Sequence, residues 1–246
     1  MSLEAAEERP AATRDTLRRV CLLGAAGLLA IVVLVPPLSG LARRYEFVEA
    51  LQFSVLAMEL PALVVLGARS APRRPARRRP GSAFYLGLFM GAVIAWRTPV
   101  AVDALQRLPW LVAAEVLSLV PVGAGFWLQL VQSPRGLPAS NRPVRAAMAA
   151  VAMWTVWIVA YLVGFSSSSW YKAFHHVAGR GLSTAADQQF STAVLWFMAA
   201  VAFMPVVFWN LAAWLRSEDQ QAAGYRSLSG GETSQLGANR SASLEL

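Results

Sequence analysis

Six stretches of this chain are each long and apolar enough to cross a lipid bilayer, and this feature constrains the fold most strongly. A membrane-spanning helix needs about 20 consecutive, mostly apolar residues. The predicted spans are residues 20–42, 46–67, 82–99, 109–131, 144–165 and 188–215. Because backbone polar groups find no water inside a bilayer, spanning stretches of this length must be helical. The sequence therefore predicts an all-α, polytopic membrane helix bundle with six transmembrane helices.

The composition supports a membrane protein and excludes several soluble classes. Apolar residues make up 56% of the chain and charged residues only 15%, whereas the net charge is +8. Charged residues are about 25% of a typical soluble domain. A soluble nucleic-acid binder would need a basic face on a water-soluble fold, so no nucleic-acid partner is expected. The single cysteine excludes an intrachain disulfide framework and any cysteine-rich metal site.

The arginines and the lysine predict how the chain is oriented in the membrane. With six spans, 16 of these 22 residues fall on the side of both termini and six on the other side. The positive-inside rule then places both termini in the cytoplasm. Residues 1–19 are expected to form a cytoplasmic tail, and residues 216–246 a disordered cytoplasmic tail that has too little apolar mass to fold.

We single out four ionisable residues inside predicted spans, where charge is costly and marks a functional or paired position. Helix directions place Glu49, Arg97 and Glu115 in the outer part of the bilayer and Glu59 near its middle. Helical spacing puts Glu49, Gln52 and Glu59 on one face, which should face the bundle. Two interpretations stay open. The residues form a polar site that opens outward, or Arg97 pairs internally with Glu49 or Glu115 and joins three helices.

The sequence carries no recognisable catalytic motif. No nucleophile elbow, zinc-protease, phosphate-loop or dinucleotide-binding motif occurs in a usable context, so an enzyme is not expected. His175 and His176 are adjacent in the loop between the fifth and sixth spans and are weak candidates for metal ligands. Adjacent histidines on a loop rarely complete a metal site alone, and ordinary loop residues are the preferred interpretation.

Three groups of motif residues occur in order between about residues 45 and 216. The second span carries Gln52 and Pro61, the third and fourth carry a W-R-T-P segment followed by Asp103 and Glu115, and the sixth opens with D-Q-Q. This pattern resembles the cytochrome c oxidase assembly factor CtaG family. The matching motif residues are Trp96, Pro99, Asp103, Trp127, Asp187, Gln188, Gln189 and Trp196.

The resemblance implies an integral membrane, chaperone-like assembly factor of the bacterial plasma membrane. Its implied partner is a subunit of cytochrome c oxidase, with membrane lipid around both. Small residues would let helices approach closely. The small residues expected to allow this approach are Gly87, Gly91, Gly123 and Gly125.

The chain also departs from the family pattern. Where members of the family carry motif histidines, this chain has Glu49, Phe53, Arg97, Leu111 and Val116. The resemblance therefore implies loss of the usual histidine copper site, with an ionic cluster in its place as the tie between helices. We expect no cofactor, with copper as the alternative. The alternative function is a transporter or channel for copper or another small solute.

Overall fold

The computed structural model describes the backbone of residues 4–68, 81–131, 142–166, 169–175 and 181–242. Side chains are described between residues 13 and 220 of those ranges. This part of the chain consists of helices and connecting turns. The helices are α1 (Glu4–Leu34), α2 (Leu38–Ala42), α3 (Glu46–Ser54), α4 (Leu60–Gly67), α5 (Ser82–Trp96), α6 (Pro99–Arg107), α7 (Leu111–Val131), α8 (Arg142–Gly164) and α9 (Thr184–Ala242).

Two shorter elements complete the described backbone. A π-helical turn, Val55–Glu59, joins α3 to α4, so that Glu46–Gly67 forms one continuous span. A 3₁₀ turn, Lys172–Phe174, lies between α8 and α9. π-helical turns inside α-helices often mark functional positions.

Five helices in the described residues are long and apolar enough to span a membrane. The number rises to six if α5 and α6, which meet at an angle of 62°, count as one bent span. The prediction of an all-α membrane protein is therefore confirmed for the described residues. The six predicted spans are matched only when the bent pair is counted as one.

Prolines set two boundaries that differ from the predicted ones. The first span was expected to reach residue 42, but α1 ends at Leu34 and Pro36-Pro37 separate it from the short α2. Proline lacks an N–H and disfavours helical geometry in the residue before it. The third span was expected to reach residue 99, but α5 ends at Trp96 and Pro99 starts α6 as its first residue.

The last helix is longer than the predicted span. It begins at Thr184 and continues to Ala242, whereas the apolar stretch of the sequence ends near residue 215. The side chains beyond Gln220 lie outside the described ones. The disorder of residues 216–246 therefore stays a prediction.

The span Glu46–Gly67 occupies the centre of the bundle. About 67% of its most apolar stretch is buried, against 11% for the corresponding stretch of α1. Its neighbours include α1, α7 and α9, while α8 packs along α9. Polar and charged side chains are buried inside, and large apolar ones such as Leu117, Phe165 and Trp209 are mostly exposed. This arrangement, with polar groups inside and an apolar exterior, is that of a protein surrounded by lipid.

Of the four glycines expected to allow close helix approach, two lie against neighbouring helices within the bundle. A Cβ on Gly123 would lie 2.6 Å from the Ala57 carbonyl oxygen and 2.7 Å from Pro61 Cγ. A Cβ on Gly125 would lie 2.9 Å from the Tyr85 ring. Gly87 and Gly91 have nothing within 4 Å of that position, so their face of α5 is open.

Candidate functional site

A buried ion pair lies where α3 meets the bend between α5 and α6. Arg97 follows the last residue of α5, and its Nη1 donates to Glu49 Oε2. Arg97 is only 2% exposed and Glu49 only 6%. Leaving one of these charges unpaired at such depth would be expensive, and the pairing offsets part of the cost of burying both. Arg97 is thus held by a carboxylate of the central span.

Two aromatic rings contact the remaining surface of the guanidinium. Arg97 Cζ lies 5.2 Å from the centroid of Phe53 and 5.1 Å from that of Tyr171, which suits cation–π attraction. The Tyr171 hydroxyl also donates to the Arg97 carbonyl oxygen at 3.1 Å. Burial raises the pKa of Tyr171, so its hydroxyl remains a donor at any ordinary pH. The loop before α9 therefore contributes directly to the Arg97 environment.

Glu46 adds a second carboxylate on the same side of the central span. It is completely buried and lies one helical turn before Glu49. Its carboxylate is near Arg97 and faces Ser191 of α9, but without a hydrogen bond of normal length. Arg97 Nε and Nη2 likewise have no hydrogen-bond partner in the described residues. We call Glu46, Glu49, Arg97 and Glu115 the Arg97 cluster.

Glu115 belongs to this cluster but not to its ion pair. It is 4% exposed and interacts electrostatically with Glu49 and Arg97. Its carboxylate forms no hydrogen bond or ion pair with the described residues. Glu49 and Glu115 instead line a common cavity of about 250 Å³. The other lining residues are Leu34, Ser39, Ala42, Arg43, Gln52, Leu105, Gln106, Pro109 and Val112.

Glu59 is separate from the other three predicted residues. It ends the π-helical turn, ten residues after Glu49, and both carboxylate oxygens are buried without a hydrogen-bond partner in the described residues. Ten residues correspond to roughly 15 Å along a helix. The structure thus brings together Glu49, Arg97 and Glu115, and leaves Glu59 beside Pro61 at a different level of the same span.

The aspartate of the D-Q-Q segment holds the start of the central span. Asp187 lies in the first turn of α9 and is completely buried. Its two oxygens accept from the backbone N–H groups of Glu46 at 2.9 Å and Phe47 at 3.1 Å. The first N–H groups of a helix have no partner within the helix, so Asp187 caps α3 from another helix.

Gln188 holds the loop between α8 and α9. Its Nε2 donates to the carbonyl oxygens of Val163 at 2.5 Å and Ser166 at 3.3 Å, and its Oε1 accepts from Trp170 N–H at 3.1 Å. It therefore satisfies a carbonyl at the end of α8 and fixes the approach to Tyr171. The neighbouring Gln189 is exposed.

Three motif residues near the bend also connect elements. Trp96 Nε1 donates to Ser118 Oγ at 2.9 Å, joining the end of α5 to α7. Pro99 starts α6, as prolines often do at the first helical position. Asp103 Oδ1 accepts from the N–H of Ala173 at 2.9 Å and so holds the 3₁₀ turn next to Tyr171.

The other two motif tryptophans pack against aromatic rings. Trp127 is buried, and its ring stacks on that of Phe203 with 5.7 Å between centroids. Trp196 is 44% exposed and stacks on Trp157 at 5.4 Å. The Trp157 Nε1 donates to the Trp196 carbonyl oxygen at 3.1 Å, which links α8 to α9.

His175 does not join the Arg97 cluster. His175 is exposed at the end of the 3₁₀ turn, with Nε2 3.4 Å from the Ser169 carbonyl oxygen. His176 lies outside the described residues. Within the described part of the chain, no three histidine, cysteine, aspartate or glutamate side chains are grouped to hold a metal ion.

Glu46 and Tyr171 are members of the site that the sequence interpretation does not single out. For Glu46 a signal exists, because it precedes Glu49 by one helical turn and shares its face. Tyr171 gives no such signal. It lies in a polar loop, and only the tertiary packing shows that the loop folds over Arg97.

The helices, the lipid-facing apolar surface and the buried ionic site define a polytopic α-helical membrane protein. The family model for the cytochrome c oxidase caa3 assembly factor, Caa3_CtaG, matches residues 5–217. The chain therefore belongs to this family. No curated protein and no solved structure matches the chain significantly.

Proposed function

We propose that this protein is a non-catalytic assembly factor that holds a cytochrome c oxidase subunit in the membrane during biogenesis. The family match over residues 5–217 carries this proposal. The roles of the motif residues agree with it. Asp187, Gln188 and Asp103 all accept or donate hydrogen bonds at the ends of helices or turns, which is the chemistry of a scaffold.

The open face of α5 is the surface we assign to the oxidase subunit. Ala83, Gly87, Gly91 and Ala95 recur every four residues, and all are exposed. Small residues at this spacing let a second transmembrane helix approach closely and pack by van der Waals contact. Gly87 and Gly91 have free space around them, unlike Gly123 and Gly125.

The protein performs this role, in our proposal, without the family's usual histidine copper site. The polar groups that line the cavity beside the Arg97 cluster are carboxylate, amide, hydroxyl and guanidinium groups, and no histidine, cysteine or methionine of the described residues lines it. Copper(I) prefers soft thiolate or thioether ligands, and imidazole also suits copper. The residues present therefore do not fit copper, and no step of the proposed function passes through it.

The proposed location is the bacterial plasma membrane, with both termini in the cytoplasm. The distribution of basic residues, 16 on the side of the termini and six on the other, supports this orientation. In this proposed orientation, the Arg97 cluster and its cavity lie near the outer surface of the membrane. The family match favours assembly over the alternative of a transporter or channel.

Deletion of the gene tests the function. We expect membranes of the deletion strain to contain less assembled oxidase, measured as haem and copper per unit of oxidase subunit, with recovery on complementation. A complementing Gly91→Leu variant should recover less, because the larger side chain blocks the α5 face. Unchanged oxidase haem, copper and activity in the deletion strain would contradict the proposal.

A further inference from the structure

The cavity beside the Arg97 cluster is lined by a buried carboxylate that has no ion-pair partner among the described residues. Two carboxylates line it, but only Glu49 is paired, through Arg97. Glu115 is 96% buried and no cation among the described residues is paired with it. Ionising a carboxylate at this depth is expensive without a partner, and a bound cation would supply that partner. Arg43 also lines the cavity, but it is an exposed residue.

The groups that face the cavity are the ligands of hard cations. Besides Glu49 and Glu115, the lining includes the amides of Gln52 and Gln106 and the hydroxyl of Ser39. Calcium and magnesium bind carboxylate, amide and water oxygens, whereas softer metals prefer sulfur or imidazole. The donor set therefore selects for a hard cation.

The size of the cavity is consistent with a cation that keeps part of its water. Its volume is about 250 Å³. One water occupies about 30 Å³ of liquid, so the space corresponds to roughly eight waters. That is larger than a bare ion requires. A hydrated ion could use the protein oxygens for some of its ligands and water for the rest.

We propose that this cavity binds one hard divalent cation, calcium or magnesium, with Glu115 as the principal charged ligand. Gln52 and Glu49 complete the protein side of the site from the central span, while the ion pair with Arg97 holds the Glu49 side chain in place. The inference does not depend on the assembly function, because it follows from the lining of the cavity alone.

Equilibrium dialysis with radioactive calcium tests the proposal on the full chain. The protein is reconstituted in nanodiscs of zwitterionic lipid, because anionic lipid itself attracts cations, and magnesium is added as a competitor. Wild-type protein should bind about one calcium ion per chain, saturably, with a dissociation constant near 0.1 to 1 mM, as in weak extracellular calcium sites. Magnesium should displace the calcium if it shares the site.

Variants locate the site. Glu115→Gln should weaken binding about tenfold or more, a loss typical of damage to a metal site. Glu59→Gln is the matched control, because Glu59 also has buried, unpartnered carboxylate oxygens but does not line the cavity, and its affinity should be unchanged. Arg43→Ala removes an exposed positive charge and should tighten binding.

The outcomes decide the proposal even if one variant misfolds. Absence of saturable calcium or magnesium binding to the wild-type protein would overturn it. Equal affinity in the wild-type and Glu115→Gln proteins would overturn it too. If Glu115→Gln does not fold, tighter binding by Arg43→Ala supports the assignment and unchanged binding overturns it.

Discussion

Arg97 illustrates how a bundle keeps a charge away from water. One carboxylate, Glu49, neutralises it, while the rings of Phe53 and Tyr171 contact its guanidinium within about 5 Å. The Tyr171 hydroxyl then fixes the backbone of Arg97 itself. Glu49 and Phe53 lie on α3 and Tyr171 lies in the loop before α9, so Arg97 joins the central span, the bend after α5 and that loop.

Replacement of Glu49 by glutamine should destabilise the protein strongly. Removal of one partner from a buried ion pair costs about 3 to 5 kcal/mol, because the other charge stays buried. The measurement is the free energy of unfolding in mixed micelles. Glu59→Gln removes a carboxylate from the same span without breaking an ion pair and should cost much less. Equal losses in the two variants would mean that the Arg97–Glu49 pair has no special role.

At the scale of elements, the ends of helices account for most of the polar motif residues. Asp187 caps α3, Gln188 satisfies a carbonyl at the end of α8, and Asp103 holds the 3₁₀ turn. A helix end inside a membrane bundle has little water to satisfy its free N–H and C=O groups. Side chains on other helices perform that task here, and they fix the relative positions of the elements as a result.

Asp187→Ala should therefore loosen the start of the central span. Loss of a helix cap typically costs about 1 kcal/mol. We expect faster amide hydrogen exchange at Glu46 and Phe47, measured by mass spectrometry, and a lower melting temperature. The adjacent Gln189→Ala is the control, because Gln189 is exposed. Unchanged exchange at these two amides in Asp187→Ala would argue against the cap.

Gly123 sets how closely α7 approaches the central span. An added methyl group would collide with the Ala57 carbonyl oxygen and the Pro61 ring, both backbone-bound and unable to move away cheaply. Gly123→Ala should cost about 1 to 3 kcal/mol in unfolding free energy. Gly87→Ala meets open space and should be neutral or stabilising by up to about 1 kcal/mol. A stable Gly123→Ala protein would show that the two helices can separate easily.

For the whole molecule, hydropathy predicts the helical membrane class well but not the interruptions of its helices. The break at Pro36-Pro37 and the bend at Arg97-Thr98 occur inside stretches that remain apolar enough to be read as one span. The grouping of Glu49, Arg97 and Glu115 follows from helix direction and depth. Which carboxylate pairs with Arg97 cannot be predicted in this way, because Glu49 and Glu115 are expected at the same depth. The contact between Tyr171 and Arg97 depends on how the loop before α9 packs, and no periodic pattern in the sequence predicts that packing.

The proposed orientation can be tested with single cysteines after replacement of Cys21, the chain's only cysteine. Lys172→Cys is exposed in the loop before α9 and should react with a membrane-impermeant maleimide in intact spheroplasts. Ser2→Cys and Leu246→Cys, at the two termini, should react only after lysis. Labelling of either terminus in intact spheroplasts would contradict the predicted topology.

The proposed role as an oxidase assembly factor is tested most directly by co-purification from native membranes. The tagged chain is solubilised in mild detergent, and its partners are identified and quantified by mass spectrometry together with the metal content of the eluate. We predict that a cytochrome c oxidase subunit co-purifies with the wild-type chain and is depleted with the Gly91→Leu variant, which fills the open face of α5. Equal recovery of oxidase subunits with the tagged chain and with an unrelated tagged membrane protein would contradict the proposed function.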